Sequence, residues 1–239
     1  KLISNEEILI KTEGSTEYSF KAIDTAGNES EYSEKFIVNI DNTNPTKPTD
    51  VKAKYDGKTY TGNSWVFANN VVVIPLGGGD SLSGVSHYLY SIDNGTIWNP
   101  CLEGNQETES KEFCNISAEG ETVVYFKSVD GAGNISDDYL SYTVKIDRTA
   151  PSVPTIKSYY GEGSEKKEYV SETWINQRKI VLVPEGGDDV RREGASLGEA
   201  ISEREKYQFR TKYQDNEFTD WIDYSDNCEV KIDGITEVQ

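Results

Sequence analysis

Two short turns hold the acidic and amide side chains that are best suited to bind a metal ion. Each turn has the form Asp-x-Ala-Gly-Asn, at residues 24–28 and 130–134, and each is followed by a further aspartate, Asp41 or Asp147. Calcium prefers six to eight hard oxygen ligands, which two carboxylates, an amide and backbone carbonyls can supply. The sequence therefore predicts a weak calcium site with the candidate ligands Asp24, Asn28, Asp41, Asp130, Asn134 and Asp147.

The same turns have a purely structural interpretation, which we favour because they lack the dense Asp-x-Asp-x-Asp run of many calcium loops. Short Asp and Asn side chains accept hydrogen bonds from nearby N–H groups and so stabilise tight turns. In this interpretation Gly27 and Gly133 adopt the left-handed backbone conformation that glycine tolerates. The turns then need no metal ion to hold their shape.

A single histidine, His87, limits the catalytic chemistry of the chain. A zinc site with two histidine ligands is excluded, and any Ser-His-Asp triad would have to use His87. This residue alternates with Val85 and Leu89 along a predicted strand, so we expect a packed or surface side chain. The sequence accordingly predicts a protein that is not an enzyme and has no organic cofactor.

A hairpin motif of the type Ser-x-Asp-x-Gly-x-x-Trp runs from Ser91 to Trp98. It resembles the Asp-box of sialidase-like propellers, in which the aspartate fixes a turn. We expect Asp93 to hold the turn, Gly95 to take a positive φ and the tryptophan to cover the hairpin. A propeller needs several copies about 40–50 residues apart, but the sequence has one clean copy. The motif therefore predicts a hairpin shape rather than glycosidase activity.

Three cysteines leave two alternatives open. Cys101 and Cys114 flank an acidic insert, 13 positions apart, so a disulfide between them would close that insert. Cys228 corresponds to Cys114 in an internal repeat, but Cys101 has no counterpart there. That asymmetry favours Cys114 and Cys228 as small buried residues instead. Thiol titration under denaturing conditions distinguishes the two, because three free thiols would mean that no bond exists.

The chain repeats itself, and the repeats contain the elements that must position these residues. Residues 14–48 align without a gap to residues 120–154, and residues 65–80 align to residues 174–189. The repeating unit is therefore about 105–115 residues long. We divide the chain into the C-terminal part of a first repeat plus its linker at 1–48, a complete second repeat at 49–150, and a divergent third repeat lacking its last strands at 151–239.

Alternation of apolar and polar residues predicts β-strands throughout. Seven candidates in the second repeat fall near residues 51–55, 70–75, 86–92, 97–101, 113–117, 122–129 and 138–146. About seven short strands in about 100 residues are typical of an antiparallel sandwich. The alternation directs Phe20 and Phe126 into equivalent cores. Residues 194–206 are the one segment with helical character, as an inserted loop or a short helix.

Two tryptophans, Trp65 and Trp174, begin equivalent predicted strands. We expect both to anchor a core, because large aromatic side chains dominate the packing of small domains. The alternative is that they are exposed platforms on which sugar rings stack. Abundant tyrosine, with 15 residues, keeps a carbohydrate-binding role open, although tyrosine is also common in β-strands.

An excess of 42 acidic over 24 basic residues gives a formal net charge of −18. Such a surface repels nucleic acid and anionic lipid. The longest apolar runs, such as Val71–Ile74, have four residues, far fewer than the ~20 that cross a bilayer. We therefore expect no nucleic-acid partner and no membrane insertion, and the start at Lys1 suggests a mature product or a cut piece.

Four motifs of the second repeat point together to one family. They are the strand start at Trp65, the Ser-Gly-Val and Tyr-x-Tyr-Ser-x-Asp-x-Gly-x-x-Trp hairpin at 83–98, the turn at 130–136 and the Asp-x-Thr-x-Pro linker at 147–151. With them the chain resembles tandem bacterial Ig-like (fibronectin-III-like) domains of cell-surface and secreted proteins. The resemblance implies an all-β chain of tandem antiparallel β-sandwiches. The paired prolines of each linker favour stiff, extended backbone and hence a rod-like array.

From these observations we expect a non-enzymatic spacer segment of a large extracellular bacterial surface protein, holding other domains away from the cell wall. The alternative is an adhesive module that binds glycan or a host surface protein through the divergent third repeat, around residues 188–206. A further hypothesis is head-to-tail self-association, in which the first fragment supplies the strands that the third repeat lacks. The expected location is the bacterial cell surface or the surrounding medium.

Overall fold

The chain separates into two compact units, residues 1–146 and residues 147–239. The first unit holds the first-repeat fragment together with the second repeat, and the division of the chain into three repeats stays a prediction. The computed structural model describes residues 8–101, 114–161, 163–177, 179–188, 205–213, 216–225, 228–230 and 236–238.

The first unit is built from antiparallel strands, and all seven strands predicted for the second repeat are confirmed. A hairpin of β1 and β2 is followed by two layers, the front layer in the order β4-β3-β6-β9 and the back layer in the order β5-β11-β10-β7-β8. Neighbouring strands are antiparallel except β5 and β11, which are parallel. The strands are β1 (Gly14–Tyr18), β2 (Phe36–Ile40), β3 (Asp50–Tyr55), β4 (Lys58–Thr59), β5 (Trp65–Val66), β6 (Val71–Leu76), β7 (Val85–Ser91), β8 (Asn99–Cys101), β9 (Cys114–Ile116), β10 (Gly120–Asp130) and β11 (Leu140–Ile146).

One hydrophobic core lies between the front and back layers. Alternate residues of each strand enter it, because successive side chains of a strand point to opposite faces. Val71 and Val73 of the front layer and Phe126 of the back layer have no solvent exposure. The buried residues of this core, among those described, are Ala53, Tyr60, Val71, Val73, Tyr88, Cys101, Cys114, Ile116, Val124, Phe126, Val144 and Ile146.

The β1–β2 hairpin has the backbone of the β10–β11 pair but not its burial. Gly14 pairs with Ile40 as Gly120 pairs with Ile146, so the registers agree with the sequence repeat. The prediction that Phe20 lies in a core like Phe126 is wrong, because Phe20 is 54% exposed. Within the described residues, β1 and β2 form a two-stranded sheet of their own with no front layer facing it.

The second unit repeats the front layer. Its four-stranded sheet has the order β13-β12-β14-β18, which matches β4-β3-β6-β9, and two further pairs join β15 to β17 and β16 to β19. Its elements are β12 (Pro154–Tyr160), a short 3-10 turn (Gly163–Glu165), β13 (Lys167–Glu168), β14 (Ile180–Gly186), β15 (Gln208–Phe209), β16 (Thr211–Tyr213), β17 (Ile222–Asp223), β18 (Cys228–Val230) and β19 (Thr236–Val238).

The two tryptophans expected to anchor cores differ in their surroundings. Trp65 is half-buried at the start of β5, with the Lys145 ammonium 5.7 Å from its ring centre. Trp174 is 79% exposed, so the prediction of a core anchor is wrong there. The reason is that β5 packs beside β11, whereas the described part of the second unit has no strand at Trp174 and no equivalent of β11.

Helix is almost absent from the described residues, where the 3-10 turn is the one helical element. Most of the segment 194–206, which was predicted as a loop or short helix, lies outside the described residues. Among the residues described, no helix has the length and apolar character required to traverse a bilayer.

Candidate functional site

The Asp130 turn is closed by hydrogen bonds from its loop to its own aspartate. A bulge between Val129 and Asp130 ends the regular pairing of β10 with β7 and turns the carboxylate into the loop. Its Oδ1 accepts hydrogen bonds from the N–H groups of Ala132, Gly133 and Asn134 at 2.9, 2.7 and 2.8 Å. Its Oδ2 accepts from the Asn134 amide at 2.8 Å. The residue is 2% exposed, so these bonds replace its hydration.

The Asp24 turn has a similar set of hydrogen bonds but lies at the surface, and its Gly27 N–H donates to the Asp24 carbonyl instead of the carboxylate. Asp24 accepts from the N–H groups of Ala26 and Asn28 at 2.9 and 2.8 Å, and from the Asn28 amide at 2.8 Å. Gly27 and Gly133 have φ angles of 89° and 97°, which an L-amino acid rarely adopts. Both turns therefore have the geometry that the structural interpretation predicts, with the aspartate bonded to its own loop.

Three carboxylates meet where the first linker reaches the second repeat. One oxygen each of Asp41, Asp80 and Asp130 lies within 4.8 Å of the other two, and we call these three residues the junction cluster. Asp41 follows β2, Asp80 ends the glycine run after β6, and Asp130 ends β10. The amide of Asn134 donates to the Asp41 carbonyl at 3.2 Å, and the Ser83 N–H donates to the Asp41 carboxylate at 3.1 Å.

Asp80 has one satisfied oxygen and one that lacks a partner. Its Oδ1 accepts from the N–H groups of Leu82, Ser83 and Gly84 at 2.9, 2.8 and 2.9 Å. Its Oδ2 is shielded from solvent and, within the described part of the chain, has no hydrogen-bond partner. A shielded carboxylate oxygen without a partner is unfavourable, and a bound cation is one way to satisfy it.

Hydrogen bonds lower the pKa of two carboxylates of the junction cluster, Asp80 and Asp130. N–H groups, first that of Gly84 and then that of Leu82, hold the pKa of Asp80 below its usual value, although the Asp130 charge raises it. Burial raises the pKa of Asp130, but hydrogen bonds from Asn134 and its loop outweigh burial and leave that pKa lowered. Two negative charges therefore lie close together at neutral pH.

The donor set of the junction cluster fits a hard divalent cation. It consists of carboxylate oxygens alone, which calcium and magnesium prefer over zinc or copper. Three carboxylates supply about half of the six to eight ligands of calcium, and the rest would come from backbone carbonyls or water. A cation there would link Asp41, from the end of the first repeat, to Asp80 and Asp130 of the second.

The structure brings together only some of the predicted calcium ligands. Asp41 and Asp130 belong to the junction cluster, with Asn134 bonded to both. Asp24 and Asn28 bond each other in the first fragment, outside the cluster. Asp147 begins the second unit, where its carboxylate accepts from the Thr149 N–H at 3.0 Å.

Asp80 was missed from the sequence, although a signal for it exists. It ends the run Gly77-Gly78-Gly79-Asp80, which aligns with Gly186-Gly187-Asp188-Asp189 in the third repeat. A repeated aspartate after a glycine run indicates a constrained loop rather than a chance acid. What the alignment does not reveal is that this loop folds against the preceding linker.

The hairpin at residues 91–98 has the geometry expected of its motif. The Asp93 carboxylate accepts from the Ile97 N–H at 2.9 Å and from the Ser91 hydroxyl at 2.6 Å. Gly95 has a φ of 80°. Trp98 is half-buried over the hairpin, and the Lys127 ammonium lies 5.4 Å from its ring centre. The arrangement is that of a structural turn, because hydrogen bonds within the hairpin occupy the Asp93 carboxylate.

A disulfide joins Cys101 of β8 to Cys114 of β9, which connects the back layer to the front layer. The third repeat shares one tyrosine hydrogen bond with the second repeat and has a tyrosine, Tyr224, at the position equivalent to Cys101. The Tyr88 hydroxyl donates to the Gly77 carbonyl at 2.8 Å, and the Tyr207 hydroxyl donates to the equivalent Gly186 carbonyl at 2.6 Å. Tyr224, which pairs with Tyr207 as Cys101 pairs with Tyr88, donates to the Leu182 carbonyl at 3.1 Å.

His87 is a half-buried residue in the middle of β7 and pairs with Val129 of β10. Its Nδ1 lies 3.3 Å from the Ser86 hydroxyl. The Cys228 side chain and residues 189–192 of the predicted adhesive region lie outside the described residues.

Comparison with known proteins adds no relative. No protein-family model, no curated protein and no solved structure matches the chain.

Proposed function

We propose that the chain is a non-enzymatic spacer segment of a large extracellular bacterial surface protein, which holds other domains away from the cell wall. The observation that carries this proposal is a linker fixed against the repeat that follows it. A spacer needs resistance to bending between its modules, and a free Gly/Ser tether would not provide it. The resemblance to tandem bacterial Ig-like (fibronectin-III-like) domains supports the same role.

The first linker is held through its backbone and its prolines. Pro45 and Pro48 are buried. The Thr46 N–H donates to the Gly79 carbonyl, and the Thr49 N–H donates to the Leu76 carbonyl, both at 2.9 Å. Hydrogen bonds on both sides of a proline restrict the few torsions left to the linker. Bending at this point would break backbone hydrogen bonds and expose apolar surface.

Glycine at position 78 allows the first linker to lie close to the loop that follows β6. A Cβ added to Gly78, whose φ is 85°, would lie 2.8 Å from both the Thr46 carbonyl oxygen and the Ser128 hydroxyl. The same linker contact recurs in the second unit, where the Ser152 N–H donates to the Asp188 carbonyl at 3.0 Å. Because the contact recurs at equivalent positions, it supports a linker that is held in the same way in both copies.

An extracellular location is supported by the disulfide between Cys101 and Cys114. Disulfides persist in oxidising compartments and are rare in the reducing cytosol. The excess of acidic over basic residues is also compatible with a soluble surface segment.

Distance measurements between two spin labels test the spacer proposal. We would place labels at Ser15 and Ser86, which are exposed on β1 and β7, in a Cys228→Ser background. We expect one narrow distance distribution, which the double substitution Pro45→Gly and Pro48→Gly should broaden. A wild-type distribution as broad as that of the double variant would contradict a stiff linker.

The control for this measurement is Pro151→Gly, which alters an exposed proline of the second linker. It changes backbone freedom outside the labelled pair, so the distance distribution between the labels should stay narrow. Broadening by this control would mean that the labels report general loosening rather than the first linker.

An adhesive role in glycan binding is the second candidate, and a surface of the second unit favours it. The Arg210 guanidinium lies 4.5 Å from the ring centre of Phe218 and 4.8 Å from that of Trp221, which is 53% exposed. A flat aromatic beside a cation is suited to sugar rings that carry acidic groups. Saturable binding to a glycan array that Trp221→Ala removes, and that Phe67→Ala in the first unit retains, would support this role.

A further inference from the structure

The apolar face of the β1–β2 hairpin is left uncovered within the described residues. One face of this sheet carries Tyr18, Phe20, Phe36, Val38 and Ile40, which we call the open face. Phe20 and Phe36 are 54% and 65% exposed. Large apolar side chains clustered on one sheet face indicate a surface that binds a partner.

The chain contains its own template for what covers this face. The open face aligns residue by residue with Val124, Phe126, Tyr142, Val144 and Ile146 of the second repeat. There the same positions pack against the front layer, and Phe126, Val144 and Ile146 have no solvent exposure. Equal registers in β1–β2 and β10–β11 mean that the two faces have the same strand geometry.

The second repeat shows which side chains such a covering layer presents. It presents small and branched apolar residues, namely Ala53, Val71, Val73, Cys114 and Ile116, all at most 3% exposed. Such side chains leave room for the aromatic side chains of the opposite layer, as in other sandwich cores. A charged surface would not replace these contacts, because the open face offers aromatic and branched apolar side chains.

Residues 8–10 supply an independent indication. Ile8, Leu9 and Ile10 align with Cys114–Ile116, which form the edge strand β9 of the front layer. Ile8 and Leu9 are 64% and 75% exposed. The chain therefore carries, beside the open face, the sequence of one strand of a covering layer whose neighbouring strands are not among the described residues.

We propose that the open face binds the front layer of another repeat of this kind, whose strands equivalent to β3 and β6 pack over Phe20 and take Ile8–Ile10 as their neighbour. The front layer of the second repeat is already covered by its own β10 and β11, so it does not serve this purpose. The open face is thus an assembly surface between repeats, independent of any ligand role of the third repeat.

Hydrogen exchange on an extended chain tests this proposal. Residue 1 aligns with residue 107, so a second copy of residues 49–106 placed directly before Lys1 continues in register. The Cys101 of the added copy is replaced by serine, because its partner position is Ile8. We expect exchange of the segment 14–40 to slow by about tenfold or more, toward the rate of the segment 120–146 in the same molecule.

Two variants of the extended chain separate the open face from the opposite face. Phe20→Glu places a charge on the open face and should abolish the slowing. Ile37→Glu places the same charge on the other face, where Ile37 is 58% exposed and aligns with Thr143, and should retain it.

Three results would overturn the proposal. The first is unchanged exchange of segment 14–40 in the extended chain, whether or not the added copy becomes protected. The second is equal loss of protection in the two variants. The third is protection of segment 14–40 that rises with concentration in the unextended chain and does not change on extension, which would mean that a second copy covers the open face through a surface other than a front layer.

Discussion

Substitution of two equivalent phenylalanines should give unequal losses of stability. Phe126 has no solvent exposure and lies inside the core, whereas Phe20 is 54% exposed on the open face. Phe126→Ala removes a fully buried ring and leaves a cavity, which typically costs about 3–5 kcal/mol. Phe20→Ala removes a ring that keeps about half of its contact with water, and solvent fills the space. We expect a loss of about 1 kcal/mol.

Urea unfolding followed by tryptophan fluorescence measures this difference. A background with Trp174→Phe and Trp221→Phe leaves Trp65 and Trp98, so that the signal comes from the first unit. We expect the transition of Phe126→Ala to move to clearly lower urea with little change in slope, and that of Phe20→Ala to move slightly.

Equal losses for the two variants would refute the reasoning. They would mean either that Phe20 is covered in solution or that the core between the front and back layers does not protect Phe126. In the chain extended by residues 49–106, by contrast, the cost of Phe20→Ala should approach that of Phe126→Ala.

Three further predictions concern the disulfide, the hairpin and the junction cluster. Replacing Cys101 and Cys114 by serine should lower the free energy of unfolding by about 2–3 kcal/mol, measured against the oxidised chain, and reduction of the wild type should reproduce the loss. The pKa of Asp93 is lowered by the Ile97 N–H and then by the Ser91 hydroxyl, so its stabilisation is full above about pH 4 and is lost as the pH falls through the lower folded value. Asp93→Asn should therefore flatten the acid limb of a thermal-midpoint profile, and an unaltered limb would contradict this. Calcium at about a hundredfold excess over its Kd should stabilise the first unit by about 2.7 kcal/mol, excess EDTA should reverse the effect, and Asp80→Asn should remove it. A thermal midpoint that ignores both calcium and EDTA would exclude the cation.

The strands and the hydrogen bonds within the turns could be predicted from the sequence alone. The seven strands of the second repeat follow from alternation, which depends only on successive side chains pointing to opposite faces. The loop hydrogen bonds of Asp24, Asp93 and Asp130 join residues at most four positions apart, so the motif itself specifies them. The positive φ of Gly133 follows from the same turn.

Burial was predicted less well, because it depends on what lies opposite a strand. Phe20 and Phe126 share the same alternation, yet only one faces a second layer among the described residues. Trp65 and Trp174 begin equivalent segments, but among the described strands only Trp65 has a neighbour, β11. The pattern of one strand indicates which side chains share a face, but it does not indicate whether another sheet covers that face.

The sequence by itself determined the repeat, the all-β class, the turns and the hairpin, since each depends on residues close together along the chain. Tertiary structure alone decided which aromatic residues are buried and that Asp41, Asp80 and Asp130 meet. These three residues lie 39 and 50 positions apart along the chain and come together only because the linker packs against the loops of the second repeat. The physical reason is that such contacts depend on long-range packing, which no local spacing encodes.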